Sequence, residues 1–223
     1  MNPQATSEIG SHLITLLASL MLVVQLLLVV QAMLITNVRL FALQSLLLAG
    51  IACVVGYVYG AWHVLVIAAL TVIGKVIFLP WRLERLVRQI KIEQEIQPFV
   101  NMPGSMLICG GLTVLAYVVA RPISSLQRLG SNTLAVAIAL LLTGFFLMIN
   151  RRKAITQVLA LLTMENGVML AAIALTTYGM PLVVEIGIFF DVVIAVMVLG
   201  ILVYRIRETF ASMDVSKLSE LKW

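Results

Sequence analysis

Hydrophobic residues run along this chain in blocks of about twenty, separated by short clusters of charge, proline and glycine. A block of that length matches the roughly 30 Å hydrocarbon core of a bilayer at 1.5 Å rise per residue. The pattern predicts seven spans, from about Leu13 to Thr36, Leu40 to Tyr59, Ala61 to Trp81, Ser105 to Ala120, Asn132 to Asn150, Ala154 to Tyr178 and Pro181 to Tyr204. Pro80 sits near the end of the third span and Pro181 suits the first turn of the seventh, where a missing N–H costs nothing. The fold class is therefore all-α, a polytopic membrane helix bundle. Continuous apolar runs exclude a barrel, whose strands alternate.

The polar interruptions set the orientation. Arg39, then Arg82, Arg85, Arg88 and Lys91, then Arg151-Arg152-Lys153, then Arg205, Arg207, Lys217 and Lys222 all fall on one side of the spans. The other side carries Arg121 and Arg128. The positive-inside rule puts the N-terminus outside and the C-terminus in the cytoplasm. The longest interruption, Arg82 to Asn101, has Leu83, Leu86, Val87 and Ile90 at helical spacing among charges. It reads as a short amphipathic helix on the cytoplasmic surface, ended by Pro98, that serves as an interfacial connector or as a docking site. The N-terminus has neither a positive leader region nor a small-residue cleavage site, so the first span is expected to be retained.

Composition narrows the chemistry. The 223 residues are 62% hydrophobic and 11% charged, against about half and a quarter in soluble domains. The net charge of +5 comes from residues at span ends, as topology requires, and does not indicate nucleic acid. Cys53 and Cys109 lie within apolar runs, without metal-ligand or disulfide spacing, and His12 and His63 form no pair. His63, at a span end, reads as interfacial rather than as a proton relay. No haem, iron–sulfur or zinc motif and no catalytic constellation is visible, so redox chemistry would belong to a partner.

What stands out is charge inside the apolar blocks. Glu165 lies about mid-way along the sixth span, Asp191 mid-way along the seventh, and Lys75 two-thirds along the third. A charged residue at a span centre costs roughly 2.5–3.5 kcal/mol on insertion scales, so these three need a reason. The sixth and seventh spans are antiparallel neighbours, which sets the two acids at similar depth. Gly187, Asp191 and Ala195 share one face, as do Ala68, Thr71 and Lys75; small residues beside a charge admit a neighbouring helix. Burial disfavours the charged form of a carboxyl, so its proton affinity responds strongly to a nearby charge, and Lys75 is the natural modulator. The candidate proton- or ion-transfer residues are Glu165, Asp191 and Lys75, with Glu185 one turn into the seventh span and Gln157 two turns below Glu165. The competing reading is a set of interhelical clamps or subunit contacts. A faint parallel repeat sets Arg39 against Arg152, Gln44 against Gln157 and, with three extra residues in a loop, Lys75 against Asp191. It divides the chain into residues 1–104, a linking helix and outer loop at 105–131, and a three-helix unit with a tail at 132–223.

Met164-Glu165-Asn166-Gly167, Val184-Glu185-Ile186-Gly187-Ile188 with Asp191, the stretch from Gly74 to Pro80 and the tail from Met213 to Lys222 resemble the hydrogenase-4 component E family. The last three spans are also similar to the K subunit of respiratory complex I and to the C subunit of multisubunit cation/proton antiporters. That subunit has one membrane glutamate on its second helix and one on its third. Glu165 matches the first, and Asp191, a shorter acid, stands near the second. The resemblance implies a membrane subunit of a group 4 nickel–iron hydrogenase complex in the cell inner membrane, with buried carboxylates serving H⁺ or Na⁺ movement coupled to redox. It implies partners too: antiporter-like membrane subunits, a membrane anchor subunit, and peripheral subunits carrying the nickel–iron centre and iron–sulfur clusters. A structural adaptor in another antiporter-like complex is the alternative.

Overall fold

In the computed structural model, residues 3–58, 60, 62–90, 98–122 and 131–175 are described, all within one unit, Met1–Gly187. They are almost wholly helical: α1 (Pro3–Val30), α2 (Leu34–Val58), α3 (Trp62–Thr71), a π-helical segment (Val72–Phe78), α4 (Leu79–Ile90), α5 (Met102–Ala120), α6 (Ser131–Asn150) and α7 (Ala154–Leu175). Among these residues six helices are long and apolar enough to cross a membrane. The chain is therefore a multi-pass membrane protein. The seventh expected span, with Asp191 and Glu185, lies outside the described residues.

Two boundaries differ from the hydropathy reading. The first turn between spans comes at Gln31–Met33, about six residues earlier than expected. No glycine or proline marks it. Side chains make it instead: Gln31 Oε1 accepts from the amides of Ala32 (2.9 Å) and Met33 (3.2 Å), and Asn37 Nδ2 donates to the Gln31 carbonyl (3.2 Å). The second difference follows Pro80: the third span was expected to end near Trp81, with a separate surface helix from Arg82. The helix instead runs on to Ile90. Proline normally clashes with the carbonyl one turn back and lacks an N–H for it. Here the preceding turns are wide, with the Leu79 amide donating to the Gly74 carbonyl five residues back, so the backbone is already displaced where the ring needs room. In α4, Leu83 and Val87 are buried and the helix packs on α2, where Arg39 pairs with Glu84 at 3.2 Å. The amphipathic pattern thus serves at least partly as an internal packing face.

Among the described helices, α6 and α7 form the hairpin with the most extensive contact, and glycines allow it. A Cβ on Gly167 would stand 3.0 Å from the Leu141 amide and 3.1 Å from the Ala137 carbonyl oxygen, and one on Gly144 would lie 2.6 Å from Met164 Cγ. Backbone cannot retreat as a side chain can. Gly167→Ala is therefore expected to lower stability by about 1–3 kcal/mol, read from thermal unfolding of the detergent-solubilised protein. Around this hairpin, α1 packs on α2 and α6, α2 on α3 and α7, and α5 on α6.

One end of the bundle gathers the basic residues. Arg151, following α6, is 3% exposed, and its Nη2 donates to the carbonyls of Leu28 (3.0 Å), Val29 (3.0 Å) and Gln31 (2.9 Å) at the end of α1. Those carbonyls have no partner within the helix, and a cation suits the negative end of its dipole. Beside it Asn150 binds the start of α5, through Val100 N (2.7 Å) and Ser105 Oγ (3.0 Å). Hydrogen bonds to a charged donor contribute about 1.5–3 kcal/mol each, so Arg151→Met is expected to destabilise the bundle by at least about 3 kcal/mol, measured by the same unfolding assay.

Candidate functional site

A buried polar chain crosses the interior where hydropathy alone would leave only hydrocarbon. Lys75 sits in the π-helical segment on the face it shares with Ala68 and Thr71, all three buried, as their spacing predicts. Its Nζ lies 3.2 Å from Glu165 Oε1 and donates to Asn166 Oδ1 at 3.3 Å. Asn166 Nδ2 donates to Ser45 Oγ (3.1 Å) and Gln44 Oε1 (3.3 Å), and Gln44 Nε2 donates to Gln25 Oε1 (2.9 Å). Four elements, α1, α2, the π segment and α7, thus contribute to one network.

The local sequence explains the convergence. Glu165 is eleven residues into α7 and Gln44 ten into α2, roughly 15–16 Å from each helix start at 1.5 Å per residue. The two helices enter from the same end, so the residues meet at one depth near the middle of the span. Gly167, against α6, and Ala49, buried on α2, keep the surrounding seam narrow. Asn166 is the hub because an amide both accepts and donates: its oxygen meets the ammonium and its nitrogen meets two acceptors.

The pair is buried on both sides, Lys75 6% and Glu165 4% exposed. Withdrawing two charges from water costs several kcal/mol per ion, which their attraction offsets only with good geometry and further hydrogen bonds. Asn166 supplies one of those bonds to the ammonium. The arrangement is electrically neutral yet responsive. Adding a proton to Glu165 removes the charge–charge attraction on the ammonium, while the Asn166 amide oxygen still accepts from it.

Of the residues singled out from the sequence, Lys75 and Glu165 come together. Gln157 does not join them. It is exposed, and its Nε2 donates to the Arg151 carbonyl at 3.0 Å. Eight residues separate it from Glu165, which at 3.6 per turn leaves the two about 80° apart around the helix. Gln44, set against Gln157 in the repeat, is buried on Asn166, while Gln157 is exposed. Asp191 and Glu185 lie outside the described residues. Sequence reasoning missed Gln25 and Ser45 and gave Gln44 no role at the site. The available signal was a polar side chain within an apolar helix, and each such residue taken alone looks like a simple clamp.

The family model described as NADH-ubiquinone/plastoquinone oxidoreductase chain 4L matches residues 132–223. An uncharacterized protein of Mycobacterium tuberculosis is 34% identical over 187 residues, covering 83% of this chain and 84% of that protein. Hydrogenase-4 component E of Escherichia coli K12 is 30% identical over 217 residues, covering 96% of this chain and 99% of the relative, with the same figures for the Shigella flexneri protein. No solved structure matches the chain. With that identity sustained over nearly the full length of both proteins, the chain belongs to the hydrogenase-4 component E family.

Proposed function

We propose that this protein is a membrane subunit of a group 4 nickel–iron hydrogenase or related complex I-like complex, and that its Lys75–Glu165 pair takes part in moving protons or sodium ions across the membrane. Family membership supports the setting. The observation that carries the ion-transfer role is a buried lysine and glutamate 3.2 Å apart within a membrane bundle. Ionisable residues inside a membrane are rare and mark ion pathways more often than scaffolding. Glu165 would alternate between charged and neutral forms, and Lys75 would set the energy difference between them. Asp191 would be the next carrier and Glu185 an interfacial group.

In this reading the chain holds no redox centre, and the nickel–iron site and iron–sulfur clusters sit in peripheral partners. Antiporter-like subunits and an anchor subunit would be its neighbours in the cell inner membrane. A tagged chain should copurify with those subunits, and Glu165→Gln should preserve copurification while ending coupled ion movement.

One observation favours a second reading, a structural adaptor. The run Gln25–Gln44–Asn166 ties three helices together with neutral amides, which suits a clamp. A clamp predicts the reverse outcome, a Glu165→Gln complex that assembles poorly but pumps normally for the amount assembled.

A further inference from the structure

We infer that a small cavity at the basic end of the bundle is a bound-water site and the point at which water gains access to the Lys75–Glu165 pair; this rests on the ion-transfer reading above, taken for protons. The cavity, about 20 Å³, is lined among others by Leu28, Asn37, Leu147, Arg151, Thr156 and Thr163. One water needs roughly 10–15 Å³ on this measure and two to four polar partners.

The lining residues include three that carry hydrogen-bond acceptors. Asn37 is 3% exposed, its Nδ2 is spent on the Gln31 carbonyl, and its Oδ1 has no hydrogen-bond partner among the described residues. Thr156 donates its hydroxyl proton to the Lys153 carbonyl (2.9 Å) and Thr163 to the Ala160 carbonyl (2.8 Å). Each hydroxyl oxygen can still accept. Three acceptors thus line a space of water size, and a water molecule brings the two protons they lack. The Arg151 guanidinium does not stand there as a bare cation, since three carbonyls at the negative end of α1 oppose its charge.

Position supplies the second argument. Thr163 precedes Asn166 by three residues, one turn of α7, about 4.5 Å of rise. Asn37 precedes Gln44 by seven, two turns along the same face of α2. Between them on that face is Phe41, fully buried, the side chain a proton passes on its way from the water site to the polar network. A proton arriving from this side comes as hydronium. One of its O–H bonds breaks, a new O–H bond forms on the Glu165 carboxylate, and neutral water is left behind in the seam.

The test uses the whole complex. A map of the assembled complex fine enough to show ordered water should place density within hydrogen-bond reach of Asn37 Oδ1 and of Thr163 or Thr156 Oγ1. In vesicles, Thr163→Val and Thr156→Val, which keep the side-chain shape, should each slow proton translocation about tenfold, the effect of roughly one lost hydrogen bond, with copurification of the subunits unchanged. A dry cavity overturns the inference. So does wild-type translocation by both variants while Glu165→Gln is inactive, an outcome that leaves the ion-transfer reading standing. Normal translocation by Glu165→Gln sinks the ion-transfer reading, and the access role with it.

Discussion

Replacing Lys75 with methionine while Glu165 remains is expected to cost roughly 3–5 kcal/mol, the usual penalty for stranding one member of a buried ion pair. The carboxyl is 4% exposed, and methionine fills the lysine's space without offering a charge or a donor. Asn166 Oδ1 also loses the ammonium that it accepts from. The expected result is a steep fall in the yield of assembled complex and a lower unfolding temperature in detergent. Lys75→Met combined with Glu165→Gln should recover much of that loss, because no buried charge is then left alone. Such recovery is the signature of direct coupling in a double-mutant cycle, whereas independent sites give additive costs. Additive losses would mean that the 3.2 Å contact contributes nothing as a pair.

Much of this organisation was legible in the sequence. Span count over the described residues and the gathering of basic residues at one end follow from apolar block length and charge placement. The Lys75 face was legible because Ala68, Thr71 and Lys75 recur at helical spacing. The misses share a physical cause. Gln31 and Asn37 make a turn through side-chain hydrogen bonds, so no glycine or proline announces it. Pro80 continues a helix because the turn before it is already π-wide, a feature of backbone geometry that hydropathy does not record. The hub role of Asn166 depends on which helices meet, and that is decided by packing between residues 91 and 121 positions apart in the chain.

Glu165→Gln carries the second large effect and separates transport from architecture. Glutamine is nearly the same size and keeps a carbonyl oxygen for the Lys75 ammonium, so the change is far milder for the fold than losing the lysine. It removes the one thing a carrier needs, a group that gains and loses a proton. The complex should therefore assemble, copurify its subunits and turn over its redox substrates. Retained assembly with lost coupling is a combination that an interhelical clamp does not produce.

The most direct measurement is coupled proton translocation in sealed vesicles containing the whole complex with Glu165→Gln, followed alongside its redox turnover and subunit content. The account predicts normal subunit content, continuing turnover and translocation reduced to the level of vesicles lacking the complex. Wild-type proton translocation per redox turnover in that variant would contradict it.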